Sequence, residues 1–396
     1  VEFRIVSEPA QIVAPWKGSV AGERIGELRI PALAVVGGRA HLFFDVRPAP
    51  ASGSGADFIG TTLASDLPNP NWIAHMSAEI SHQAAPQLSQ FPSHECGVLS
   101  VDDFSPTFFA SHPLYRGKGR NKLAKLQGSE VSAGLWSDPE PVSMPAPIAS
   151  DAAVCATSRG IFLAYGSTES VGYFESRAGG EQLEPWVAFG ATPDVLEHRN
   201  ISAELYAATG ADAIFATSGS TIEFAGRVLV PYVARWGERT GVVIVHFDGT
   251  RIAHIAEPIT APGVLLDETT LAVVGNEVWA NFRVQGFAGR GSGVRFLARS
   301  RDGVRFSEPA PLELPDPGCN AKQLGELFLH PGSPSSRENG AIERISNAGG
   351  WRAERVLDLG DSPFGYCDAA WLPSGHLLVV FERDAALWQV TVVLAE

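Results

Sequence analysis

The sequence predicts an all-β fold, and three observations carry that prediction. Short apolar or alternating runs recur at 32–36, 41–46, 160–165, 227–232, 242–247, 277–283, 294–300, 376–381 and 386–394. Each is rich in β-branched or aromatic residues and bounded by Gly, Pro, Asp or Asn, as strands between tight turns are. Sustained helical periodicity is scarce, and a run such as 122–127 is too short to weigh against strands. The 41 glycines and 28 prolines suit a chain made largely of turns.

Neighbouring runs read as hairpins. Asp248-Gly249-Thr250 joins 242–247 to 251–256, and Gly275-Asn276 joins 271–274 to 277–283. Asp-Gly and Gly-Asn supply the positive φ angles that primed hairpin turns need. Many hairpins without interleaved helices point to a propeller, a sandwich or a solenoid. One local signature favours the propeller: Ser300-Arg301-Asp302-Gly303-Val304-Arg305-Phe306 matches S-x-D-G-x-x-aromatic, the Asp-box hairpin, in which Ser and Asp bind the turn backbone while the aromatic ring packs into the blade. Weaker echoes stand at Ser65-Asp66 before Trp72 and at Ser346 before Trp351. No composition break is long enough for a linker, so a single domain over 1–396 is expected, a length that one large β architecture can reach.

Composition narrows the function. Hydrophobic residues at 45% suffice for a substantial core, and a formal net charge of -14 argues against nucleic acid and against a polybasic, membrane-attracted surface. An anionic ligand must therefore be gripped locally. The main basic run, Arg116 to Lys125 with five cations in ten residues, reads first as a solvated loop and second as an anionic-glycan contact. Cys96, Cys155, Cys319 and Cys367 are widely spaced without a C-x-x-C pair, so zinc and thioredoxin-like readings are weak and disulfides are left open. No apolar run reaches the roughly 18 residues of a membrane span. Val1 stands where an initiator methionine would, which is compatible with a trimmed leader; a secreted or cell-surface location is expected, with the cytoplasm as the alternative.

Several segments together resemble the sialidases, the six-bladed exo-neuraminidase family. Leu28-Arg29-Ile30-Pro31 is similar to the aromatic-Arg-Ile-Pro motif that opens their catalytic domain, with Leu28 in the aromatic position. Phe44-Asp45-Val46-Arg47-Pro48 is similar to their second strand and leads into a Gly/Ser-rich loop reaching Asp57. Ile222 through Gly226-Arg227 to Pro231 resembles a family hairpin that supports the fold without naming a catalyst. Asp267-Glu268 through Asn281-Phe282-Arg283 is similar to the Glu-bearing strand, turn and Asn-x-Arg strand, and the Asp-box follows at the family's spacing. His330-Pro331 through Arg337, then Tyr366 and Glu382, complete the series, which runs from about Leu28 to Glu382 and is faint between Asp66 and Tyr165.

The resemblance implies a six-bladed β-propeller and a site in which Tyr366 is the nucleophile, Glu268 its base and Asp57 the acid/base. Asp45, within a strand, and Asp66, in the eroded box, are the alternatives to Asp57. Arg29, Arg283 and Arg337 would bind a substrate carboxylate, with Glu382 orienting Arg29. Those residue types suit a 2-keto acid sugar. Three guanidiniums take its carboxylate by charge-assisted, partly bidentate bonds, and a carboxylate nucleophile would be repelled by that same charge, which is why sialidases use tyrosine instead. A phenol with a pKa near 10 needs a neighbouring base to attack. The aspartate would protonate the leaving oxygen, then activate water, and would need a raised pKa to do so.

The expectation is a retaining exo-α-sialidase that acts on terminal non-reducing sialic acid of glycans, without cofactor or metal and as a monomer. The alternatives are a same-fold glycosidase for Kdn or Kdo, a transfer or intramolecular mode, and a sugar-binding propeller that has lost turnover. Three other signals are set aside. Gly286 to Gly293 lies between strands with no helix to present amide dipoles to a phosphate, so a rim loop is expected there. His94-Glu95-Cys96 lacks a partner pair at ligand spacing. No G-x-S-x-G marks a serine hydrolase.

Overall fold

The computed structural model describes residues 2–13, 19–20, 23–48, 72–80, 136–145, 148–168, 171, 173, 176–216, 218, 220–287, 294–347 and 349–395. Six antiparallel sheets of four or five strands follow one another along the chain and form a six-bladed β-propeller. Each blade begins with its innermost strand, except that in blade 1 the short strand Ser19–Val20 precedes it. In blade 1 this is Glu23–Val36, in blade 2 Ala149–Thr157, in blade 3 Ala213–Ala216 with Ile222–Phe224, in blade 4 Val264–Val274, in blade 5 Lys322–Leu324 and in blade 6 Cys367–Trp371. These six strands touch in ring order, blade 6 meeting blade 1. The amino-terminal strand Glu2–Ile5 closes the ring by pairing with Ala386–Ala395 of blade 6.

The core is a set of apolar wedges between neighbouring blades. Phe44 and Val46 meet Leu378 and Leu387 between blades 1 and 6. Leu229 and Ile244 meet Val278 and Phe282 between blades 3 and 4. Because both faces of a blade are covered, its middle strands are buried without alternation, as along Gly160–Ser167; continuous apolar runs are what such strands require. Each large side chain so buried contributes about 1.5–3 kcal/mol.

Turn chemistry sets the blade edges. Val274 pairs with Glu277 across Gly275-Asn276, with Gly275 at φ 58°. The other expected hairpin is tighter than Asp-Gly-Thr implied, because Asp248 stays in the ladder opposite Arg251. Its carboxylate is held there by Arg251 at 3.2 Å and Arg159 at 3.1 Å. In the Asp-box turn, Asp302 Oδ1 accepts the Val304 and Arg305 amides, both at 2.8 Å, and Ser300 Oγ accepts the Gly303 amide at 2.9 Å. Those amides draw the Asp302 carboxyl down to about 2. Phe306 packs against the wedge between blades 3 and 4.

One helix, Ser202–Thr209, was not expected. Only Leu205 of its residues is buried, so no apolar stripe announces it. Asn200 Oδ1 accepts the Ser202 amide at 2.9 Å, and Gly210 ends the helix at φ 62°. No helix among the described residues is long and apolar enough to cross a membrane. Cys155, Cys319 and Cys367 are buried free thiols, and Cys96 lies outside the described residues.

A belt of polar contacts runs around the axis, one from each blade to the next. Asp151 N donates to Asp45 Oδ1 (3.0 Å), Ser218 Oγ to Asp151 Oδ1 (2.9 Å), Thr270 Oγ1 to Ser220 Oγ (2.8 Å) and Gln323 N to Thr270 Oγ1 (2.8 Å). Lys322 Nζ pairs with Asp368 Oδ1 (2.7 Å), and Leu33 N donates to Asp368 Oδ2 (2.7 Å). Side-chain oxygens do this work because inner-strand backbones of adjacent blades do not form ladders with one another.

Candidate active site

Three inner strands carry bulges, and polar residues sit at each. The register slips between Arg29 and Ala32 in blade 1, between Ser150 and Ala153 in blade 2, and between Leu266 and Thr269 in blade 4. Ile30 is at φ 55° and Asp151 at φ 61°. A β-branched residue at positive φ is a strained outlier, of the kind that gathers at functional sites. Blade 6 contributes a hairpin mouth, where Tyr366 O accepts the Glu382 amide at 2.9 Å and Glu382 O accepts the Gly365 amide at 2.9 Å.

Tyr366, Glu268, Arg283, Arg29, Arg337 and Glu382 come together at this mouth. The Tyr366 hydroxyl donates to Glu268 Oε1 at 2.5 Å. Arg283 Nη1 donates to Glu268 Oε2 at 2.5 Å and to the Tyr366 hydroxyl at 3.2 Å. The guanidinium carbons of Arg337 and Arg29 stand 4.9 and 5.3 Å from the centre of the Tyr366 ring. Ile30 and Cys319 pack with the buried tyrosine. Glu382 Oε1 accepts the Ile30 amide at 2.7 Å and lies 3.3 Å from Arg29 Nε. Arg337 differs from the other two arginines: no carboxylate is within ion-pair reach of it among the described residues, and its side chain is exposed.

The electrostatics follow from burial and neighbours. Burial and the Glu268 charge push the Tyr366 phenol well above its ordinary value, against Arg283 and Arg337, so at rest the ring is neutral and its proton points at Glu268. Burial would weaken the Arg283 cation, but Glu268, Tyr366 and Asp267 more than reverse this. The blade 4 bulge sets Asp267 and Glu268 together opposite Arg283, where a regular ladder would oppose one residue to one. Burial pushes Asp267 up to about 6, with Arg283 opposing the rise.

A second polar group, missed in the sequence, occupies the same end of blades 1, 2 and 3. Ser150 Oγ lies 2.5 Å from Asp45 Oδ2 and 2.6 Å from Asp151 Oδ2, while Arg47 Nη2 is 3.3 Å from Asp45 Oδ2. A hydroxyl has one proton to give, so these contacts hold together when one carboxyl is itself protonated. Burial pushes Asp45 up, which favours that state. The group reaches the tyrosine side through Ser218, whose carbonyl accepts Asn320 Nδ2 at 2.6 Å beside Cys319. The Phe44-to-Pro48 motif marks only Asp45 and Arg47 of this constellation; Ser150, Asp151 and Ser218 come from the two following blades and carry no local motif. Asp57 and Asp66 lie outside the described residues, as do 116–125, His94, Glu95 and the loop residues 288–293. No group of three or more metal-ligating side chains is found among the described residues.

No family model matches the sequence, and no curated protein matches it. Solved structures do. The chain is similar to Hadza microbial sialidase Hz136, with a TM-score of 0.59 and 14% identity over 93% of this chain and 65% of that one. Trypanosoma rangeli sialidase in complex with sialic acid gives 0.58 and 16% identity over 100% of this chain and 58% of that one. A leech intramolecular trans-sialidase complexed with 2,7-anhydro-Neu5Ac gives 0.61 and 11% over 97% of this chain and 70% of that one. The fold is thus a six-bladed propeller resembling sialidases. The chain spans about 65% of the length of the first of these structures.

Proposed function

We propose that the chain is a retaining exo-α-sialidase that hydrolyses terminal non-reducing sialic acid, or a close nonulosonic relative, from glycans. The observation that carries this reading is the Tyr366 hydroxyl, 2.5 Å from Glu268 and 3.2 Å from Arg283, with Arg29 and Arg337 against its ring. A phenol aimed at a carboxylate and ringed by guanidiniums suits attack on a carbon that carries its own carboxylate.

In this mechanism the substrate carboxylate binds Arg337 and the outer edges of Arg29 and Arg283. Glu268 takes the phenol proton as Tyr366 attacks the anomeric carbon, along the short hydrogen bond already in place. Arg283, bonded to both partners, keeps Glu268 aimed and steadies the developing phenolate. Asp57 protonates the leaving oxygen and then deprotonates the water that releases the sugar. Two displacements give retention.

Fluorogenic α-ketosides of Neu5Ac, Kdn and Kdo test the reading and separate its alternatives. Tyr366→Phe should lower kcat on the preferred substrate about a thousandfold or more, with binding largely kept. Turnover of Kdn or Kdo alone selects the narrower glycosidases. Binding of all three without release, unchanged by the substitution, selects a sugar-binding propeller and refutes the enzyme.

A further inference from the structure

Blade 4 offers Arg283 two carboxylates where one completes the ion pair. Glu268 takes Nη1 at 2.5 Å, whereas Asp267 Oδ2 stops 3.8 Å from Nε. Both of those facing atoms, Asp267 Oδ2 and Arg283 Nε, are buried without a hydrogen-bond partner. A closed contact of this type would be about 2.7–2.9 Å. The pair is therefore close enough for strong Coulombic coupling and too far apart to be satisfied. The bulge that creates this arrangement is fixed by Thr269 Oγ1, which donates to the Asp267 carbonyl at 2.7 Å.

We propose that Asp267 is a positioning residue that flanks Arg283 from the Nε side and sets the net charge of the anion pocket, weakening its hold on a ligand carboxylate when it ionises. This inference rests on the carboxylated-sugar reading above. Arg29 faces Glu382, Arg283 faces both Glu268 and Asp267, and Arg337 lies over the Tyr366 ring, so three guanidiniums stand with three carboxyl groups among the described residues. Among these described residues the formal charges cancel with Asp267 ionised, and protonating it makes the group one unit more positive toward the incoming anion.

Among the described residues the groups that face Asp267 are few. Arg283 and Gln285 come from the adjacent strand and Glu268 from its own, while Tyr173, whose phenol burial and then the Asp267 charge push up, is within electrostatic reach and carries Arg235 over its ring. Burial outweighs Arg283 and Gln285, leaving the carboxyl up at about 6. A ligand carboxylate adds a second negative charge nearby and raises it further. By linkage, a ligand that raises this group by one unit loses about tenfold in affinity across the titration.

The test is the Kd of the unsaturated sialic acid analogue DANA and of free Kdn, by calorimetry from pH 4.5 to 8, for wild type, Asp267→Asn and Asp267→Glu. Wild-type affinity should fall about tenfold as pH rises through 6. Asp267→Asn should flatten that fall, Asp267→Glu should restore it, and the matching kinetic change should lie in KM with kcat little altered. An Asn variant that binds with the wild-type pH profile overturns the inference and leaves the sialidase reading standing. Failure of wild type and variants to bind either sugar acid overturns both. Should the Asn variant not fold, carboxyl carbon NMR of the wild type decides: a resonance of Asp267 that titrates near 6 and moves up with DANA supports the proposal, and one indifferent to DANA refutes it.

Discussion

Removing the Glu382 side chain should loosen blade 1 from blade 6 and disorder the arginine it holds. Its strongest bond is to the Ile30 amide, 2.7 Å away in a residue only 2% exposed. The contacts to Arg29 Nε at 3.3 Å and to the Tyr366 amide at 3.4 Å are longer and weaker. Glu382→Ala would leave the Ile30 amide buried and unmatched, costing about 1–3 kcal/mol, and would remove one partner of the mostly buried Arg29 guanidinium for about 1–2 kcal/mol more. The total is about 2–5 kcal/mol. Glu382→Gln retains one acceptor for Ile30 and loses only the charge assistance, so it should cost about 1 kcal/mol. Thermal melting of the three proteins gives the order wild type, Gln, Ala. A crystal structure of the Ala variant should show Ile30 relaxed from φ 55° toward negative φ, since the bond that holds that conformation is gone. Equal melting of all three, with Ile30 unmoved, would refute the argument that Glu382 fixes the bulge.

Arg337→Ala should raise KM for carboxylated ketosides about a hundredfold while leaving binding of a carboxamide analogue unchanged, because the guanidinium contributes a charge-assisted contact worth about 2–3 kcal/mol; comparing KM for acid and amide substrates checks this. Asp302→Ala should destabilise the fold by about 1 kcal/mol through the loss of two exposed turn bonds, measured by melting. The sign of its pH dependence is fixed by a folded-state pKa lowered from 3.8 to about 2: its contribution is full above about 4 and is lost as pH falls toward 2, so wild type and Asp302→Ala should converge in acid.

The blades were legible because each is a local meander. Strand, Gly-bearing turn and strand succeed one another within a few residues, as at Val274, Gly275 and Glu277, and the Asp-box writes its own hydrogen bonds into six consecutive residues. The helix Ser202–Thr209 escaped because burial of Leu205 alone leaves no period to read. At the site, Tyr366, Glu268 and the arginines were reached through motif order, not through any contact visible in sequence, since Tyr366 and Glu268 are 98 positions apart. Asp267 and Asp151 were passed over for a different reason. Their significance comes from bulges that bring neighbouring side chains toward the mouth, and a register slip leaves no mark in a pattern of apolar residues.

The axial belt bears on how the molecule comes apart. An open stack of repeats frays from its ends, because the terminal unit has only one neighbour to hold it. Here Asp368 clasps Lys322 on one side and the Leu33 amide on the other, so the last blade is cross-tied to both the fifth and the first. A circle without a loose end has nowhere to begin unzipping, and loss of any one wedge is resisted by the links on the far side of the axis.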